Sequence, residues 1–163
     1  MENRHSKNLK KEAVRLGLCQ QWQKEWDGSI AGLAGMYLRG IDFCIEHDYP
    51  SLKYLEQHFQ GQVRDYGIFI SEEVKLYTRG RTVACLGKSF GKIDFEPFGV
   101  GRVHVLHESK IHINCAKNSI VIIDVHHKGE IRIEAKDAKN VMVNLFDEGK
   151  CEVINGNPKI LER

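Results

Sequence analysis

Apolar and polar residues follow two rhythms along this chain, and the change falls near residue 79. Before it, apolar positions recur at steps of three and four. Leu9, Ala13, Leu16, Trp22 and Trp26 form one run. Ile30, Leu33, Ala34, Tyr37, Ile41 and Cys44 form a second, and Leu52, Leu55 and Phe59 a third. Such spacing places one apolar stripe along a helix, so residues 7–60 are predicted helical. Asp27-Gly28-Ser29 supplies a break and an N-cap before the second helix. Asp48-Tyr49-Pro50-Ser51 does the same for the third, which Gly61 stops. Gly32, Gly35 and Gly40 weaken the second helix, each by up to ~1 kcal/mol relative to Ala. They also allow another element to approach closely.

From Arg79 to Pro158 the period becomes two, and the chain divides into eight decamers without insertion or deletion. Counting Arg79 as column one, column five holds Val83, Ile93, Val103, Ile113, Ile123, Ile133, Val143 and Val153. Columns three, five and seven are mostly apolar and the even columns between them mostly polar. This is strand alternation, apolar in and polar out. Columns nine, ten and one carry turn residues such as Lys117-Asn118-Ser119 and His127-Lys128-Gly129.

An antiparallel meander or barrel and a parallel β-solenoid both accommodate eight short strands. A second-order pattern favours the solenoid. Sampled every twenty residues, column ten reads Lys88, Glu108, Lys128, Glu148, column two reads Lys110, Glu130, Lys150, and column four pairs Arg132 with Glu152. Opposite charges stabilise neighbouring strands and like charges do not. Pairing at a separation of twenty is what two decamers per turn would produce. A thirty-residue turn would set Lys110 beside Asn140 and lose the match. The expected fold is α+β: a helical N-terminal domain (1–66) capping a β-solenoid of about four 20-residue turns (79–158). Rungs about 4.8 Å apart would make the solenoid roughly 20 Å long. Residues 67–78 are read as a connector with candidate strands at Gly67–Ile70 and Val74–Tyr77. Residues 159–163 form a tail that folds over the last turn, with Pro158 stopping the ladder. Trp22, Trp26, Phe43 and Phe59 are the expected capping contacts.

Composition changes little in this picture. The 163 residues are 42% hydrophobic and 28% charged, with a net charge of +2, which is ordinary for a globular domain and does not point to nucleic acid. The first thirty residues carry Arg4, Lys7, Lys10, Lys11, Arg15 and Lys24 with no continuous apolar run. A signal peptide, a membrane anchor and a spanning segment are therefore not expected, and the cytoplasm is. Five cysteines at 19, 44, 85, 115 and 151 make no C-x-x-C pair. Cys85, Cys115 and Cys151 fall on inward columns as small hydrophobes.

Candidate chemistry is sparse. His107, His127 and Asp147 fall in column nine one turn apart, a row that could hold a zinc-like ion, but Gly87 below them favours a solvated turn column that tolerates any polar residue, and no cofactor is expected. Asp94, Glu96, Asp124 and Glu134 are similar to the acid clusters of polysaccharide-cleaving solenoids, but Lys and Arg are interleaved with them. Gly99-Val100-Gly101 lies among strands with no helix after it, so it is no dinucleotide loop. Two outward pairs, Ile122 with Met142 and Leu106 with Phe146, would align as a largely apolar strip interrupted by His126, the kind of surface that marks a partner site.

The segment Gly40-Ile41-Asp42-Phe43-Cys44-Ile45-Glu46-His47-Asp48-Tyr49-Pro50-Ser51, followed by a short helix and the decamers, resembles uncharacterised bacterial proteins with a helical front and a repetitive β back half. The repeat half is also similar in kind to bactofilins, polymerising cytoplasmic solenoids, although their turns are shorter and their flanks usually disordered. The expected role is a non-enzymatic structural or protein-interaction module that self-associates or binds a protein partner. A carbohydrate-binding or carbohydrate-active protein using a solenoid face is one alternative, and a phage-derived structural component another.

Overall fold

Helices occupy the first rhythm and strands the second in the computed structural model, which describes all 163 residues. Two units, Met1–Tyr66 and Gly67–Arg163, are each compact.

The first unit holds α1 (Ser6–Arg15), α2 (Gln20–Lys24), α3 (Ile30–Arg39), α4 (Ile41–His47) and α5 (Leu52–His58), then a 3-10 turn at Arg64–Tyr66. The two longer apolar runs each divide. Gly17, at φ 103°, ends α1, so the first run becomes two helices. Gly40 separates α3 from α4. A Cβ there would sit 3.0 Å from the Trp22 ring, so the break and the indole share one cause. The expected N-caps form: Ser29 Oγ accepts from Gly32 N at 3.0 Å, and Ser51 Oγ accepts from Tyr54 N at 3.3 Å. Leu9, Ala13, Ala34, Ile41, Leu55 and Phe59, all on the expected stripes, are buried, and so is Met36, which lies off them.

The second unit is a parallel β-solenoid. Its strands are β1 (Ile68–Ile70), β2 (Glu73–Thr78), β3 (Thr82–Leu86), β4 (Phe90–Phe95), β5 (Val100–Val105) and β6 (Lys110–Cys115). They continue as β7 (Ile120–Val125), β8 (Glu130–Ala135), β9 (Asn140–Leu145), β10 (Lys150–Gly156) and β11 (Lys159–Glu162). Odd strands stack in one sheet in the order β1-β3-β5-β7-β9-β11, and even strands in the other, β2-β4-β6-β8-β10. Every pairing is parallel, which excludes the meander. The register is the twenty-residue one. Ile93, Ile113, Ile133 and Val153 are successive partners on one inner ridge, and Val83, Val103, Ile123 and Val143 on the other. Charges pair along the stack as the alternation requires: Lys110 Nζ is 3.7 Å from Glu130, and Arg132 Nε 3.1 Å from Glu152.

Three features differ from the repeat. Residues 67–78 are not only a connector: β1 and β2 form a first turn, shorter than the rest, with Ile68 opposite Ala84 and Glu73 opposite Phe90. The candidate strands at Gly67–Ile70 and Val74–Tyr77 thus form as β1 and β2, but the decamer does not extend to them, so a fixed period does not reveal that they stack in the coil. Pro158 does not stop the ladder, because the chain resumes after it as β11, which pairs with β9. The stack thus runs to about five turns rather than four. Finally, β10 carries a bulge between Val153 and Asn155. Asn155 turns its side chain to the gap, and its Oδ1 accepts from Ala135 N at 2.9 Å. The bulge replaces a backbone partner with a side-chain one.

The core between the sheets is a continuous cluster of apolar side chains, with the buried Ser89, Ser109 and Ser119 at its turns. It is filled by complementary sizes. Phe95 is 1% exposed, and a Cβ on Gly101 would lie 2.3 Å from its ring. Gly101 is therefore the missing volume that admits a phenyl ring into a Val/Ile core, while at Gly99 a Cβ would lie 2.5 Å from the Arg79 carbonyl oxygen.

Candidate functional site

The expected interaction strip is only half present. Ile122 and Met142 are direct neighbours across β7 and β9, and both are half-buried. Leu106 is 2% exposed, so it is interior and not part of a surface. It lies one residue past the end of β5, where the turn rather than the strand alternation sets the side-chain direction. Phe146 is likewise past the end of β9. Its ring stacks on His126 at 4.3 Å and 4°, so it forms an aromatic corner rather than a continuation of the Ile122–Met142 pair.

Each aromatic side chain expected as a capping contact has a partner within the helical unit. The Arg39 guanidinium lies 5.4 Å over Trp22. Trp26 Nε1 donates to Ser6 Oγ at 3.0 Å. Phe43 packs against His47 at 4.5 Å, and Phe59, 5% exposed, lies edge-on to His5 at 5.7 Å.

The row of His107, His127 and Asp147 is a turn device. All three have left-handed backbone, φ 60°, 56° and 53°, below which Gly87 has φ 70°. His, Asp and Asn are the side chains that enter this region most readily after glycine. Each side chain also serves the rung before it. His107 Nδ1 accepts from Gly87 N at 2.9 Å, His127 Nδ1 from His107 N at 3.1 Å, and Asp147 Oδ2 from His127 N at 2.9 Å. The two imidazoles stack at 5.0 Å. An imidazole accepting at Nδ1 carries its proton on Nε2 when neutral, so neither nitrogen offers a lone pair to a metal. No group of three or more His, Cys, Asp or Glu side chains converges to hold an ion. His127→Asp should therefore preserve stability within about 0.5 kcal/mol. His127→Val should cost about 2–3 kcal/mol in urea denaturation, through the lost acceptor and the strained backbone. Equal losses in both variants would contradict the turn role.

Sequence reasoning missed one polar cluster. On the outer face of the odd-strand sheet, His104, Asp124 and Asn144 stack one per rung and are 3%, 3% and 7% exposed. Asp124 Oδ2 accepts from Arg102 Nε at 2.8 Å and lies 2.7 Å from its terminal nitrogen. Its Oδ1 accepts from Asn144 Nδ2 at 2.7 Å, and His104 Nδ1 stands 3.5 Å away. Arg163 Nε donates to Asn144 Oδ1 at 3.1 Å, extending the chain of bonds to the end of β11. The spacing of twenty among His104, Asp124 and Asn144 was the available signal. Both carboxylate oxygens are occupied, so Asp124 is a brace between rungs and not a base.

Two of the other three candidate acids are engaged too. Asp94 accepts from Asn114 Nδ2 at 3.2 Å and lies 3.2 Å from Lys92 Nζ, while Glu134 is 2.7 Å from His112 Nε2. Burial pushes the thiols upward, Cys115 to about 12 and Cys151 to about 11, so neither forms a reactive thiolate near neutrality.

What stands open is the last rung. Of the inward residues of the first turn, Phe69 and Val74 are 6% and 0% exposed, and Leu76 and Thr78 are half-buried. Their counterparts at the far end are not covered: Val153 is 38% exposed, and Ile160, the partner of Val143, is 40% exposed. Strands β10 and β11 are the terminal strands of their sheets, so each has one side without a strand partner.

No helix is long and apolar enough to cross a membrane. Comparison with protein-family models, curated proteins and solved structures gives no match for this chain.

Proposed function

We propose that this protein is a non-enzymatic structural module that associates with a second copy of itself through the open C-terminal end of the solenoid. The observation that carries this reading is the exposure of inward core residues, Val153 and Ile160, on two strands whose outer edges have no partner. Edges of this kind are templates for another strand, and folded proteins ordinarily blunt them. The engagement of Asp94, Asp124 and Glu134 and the burial of Cys85 and Cys115 support the absence of catalysis. Bactofilin-type solenoids polymerise. Here no inward apolar residue of the first turn is as exposed as Val153 and Ile160, so the ends that meet are both C-terminal. A contact that uses the same surface twice closes on itself, giving a pair and not a filament.

The test is Ile160→Lys, which places a charge on the edge and leaves the buried rungs untouched. In high salt, which screens charge-steered contacts, wild-type protein should sediment as a dimer at concentrations where the variant is a monomer, with both showing the same far-UV circular dichroism. A wild type that is monomeric at several hundred micromolar, or a variant that dimerises equally well, would overturn the reading.

A further inference from the structure

A second surface of the solenoid is built for a copy of itself, independently of the C-terminal end. At the turn from odd to even strands, two ranks of long side chains flank a trough. One rank is column ten: Lys88, Glu108, Lys128 and Glu148. The other is column two: Phe90, Lys110, Glu130 and Lys150. The floor between them is column one, Ser89, Ser109, Gly129 and Gly149. It is kept low, because a Cβ on Gly129 or Gly149 would lie 2.9 Å from a backbone oxygen. Column ten is exposed throughout, and Phe90 is 56% exposed, a large apolar ring among charges.

Pairing within the chain explains part of this alternation and not the rest. In columns two and four the charges meet their neighbours, as Lys110 does Glu130 and Arg132 does Glu152. In column ten none of the four charges takes part in an ion pair, although their rungs are adjacent. A rank of alternating, exposed and unengaged charges is complementary to its own reverse.

We infer that this face docks on the same face of a second copy, about a two-fold axis that lies in the face, perpendicular to the stack, and crosses the trough between the second and third of these four rungs. Reversal sets Lys88 against Glu148 of the second copy and Glu108 against its Lys128, so every unengaged charge of column ten meets an opposite, equally unengaged one. The same rotation sets Lys110 against Glu130 and brings Lys150 over the exposed Phe90 ring, a cation–π contact. The alternative two-fold, along the stack, would send column ten onto the already paired Lys110 and Glu130. Interfaces of this kind are steered by charge and weaken with salt.

The experiment uses the full chain carrying Ile160→Lys, which removes the end-to-end contact, so that this inference and the proposed function fail separately. Two column-ten variants are made on that background. Glu108→Lys with Glu148→Lys gives four lysines, and Lys88→Glu with Lys128→Glu gives four glutamates. Neither breaks an ion pair within the chain, and circular dichroism confirms the fold. The parent should dimerise in low salt by sedimentation, each variant alone should associate about tenfold or more weakly, and an equimolar mixture should recover the dimer. A parent that stays monomeric in low salt, variants that dimerise like the parent, or a mixture that fails to recover would each overturn the inference.

Discussion

Ile133→Asp should abolish the cooperative unfolding transition of the solenoid. Ile133 is fully buried, with Ile113 and Val153 as its neighbours along the ridge. A carboxylate there finds no side-chain donor, because its neighbours Ile113 and Val153 and the cluster it packs in are apolar. An unpaired buried charge exceeds the roughly 4–5 kcal/mol that marks exceptional substitutions. Domains of this size have about 5–15 kcal/mol to lose in all. The effect should not stay local, since each rung is held only by its neighbours. Ile133→Val, which removes one methylene, should cost about 1 kcal/mol and keep the transition. Far-UV circular dichroism with urea titration distinguishes the two. A folded Ile133→Asp protein with a near-native midpoint would mean that column five does not face the core.

The second large effect should come from Gly101 and Phe95 together. Column three carries Ile111 and Val121 on neighbouring rungs, so Val is the residue the repeat would place at 101. Yet Gly101→Val should cost about 1–3 kcal/mol or more, because its side chain meets the Phe95 ring and, at 2.8 Å, the Arg81 carbonyl oxygen. Phe95→Val alone should cost on the order of 3 kcal/mol through the cavity it leaves. Combined, the two volume changes oppose one another, and the double variant should be more stable than the sum of the single losses by about 1–3 kcal/mol. Additive losses would show that the ring and the glycine are not fitted to each other and that the Arg81 contact alone excludes a side chain at 101.

Exchanging His for Asp in column nine tests a related point, that the residue type there is chosen for backbone conformation. The same residues that suggested a metal site are those tolerated at positive φ, and the identities His and Asp do not by themselves separate the two uses. Only the direction of Nδ1, back onto the N–H of the preceding rung, does so. The His104–Asp124–Asn144 brace was concealed for another reason. Its members look like ordinary polar residues on an outward column, and their burial is a property of the assembled face.

By itself the sequence determined the helical front, the parallel coil, its twenty-residue register and the inward ridges. Each depends on a repeated, short-range rule: apolar periodicity, alternation along a strand, and charge complementarity between adjacent rungs. Tertiary structure alone decided the features at which repetition ends. The short first turn and the return of β11 are made by segments outside the decamer, so no period announces them. Leu106 turned inward because alternation holds only within a strand, and it lies just beyond one. Which end of the coil lies open was equally unreadable, because Val153 occupies the same column as Ile133. Their different exposure arises only from whether another rung is stacked above.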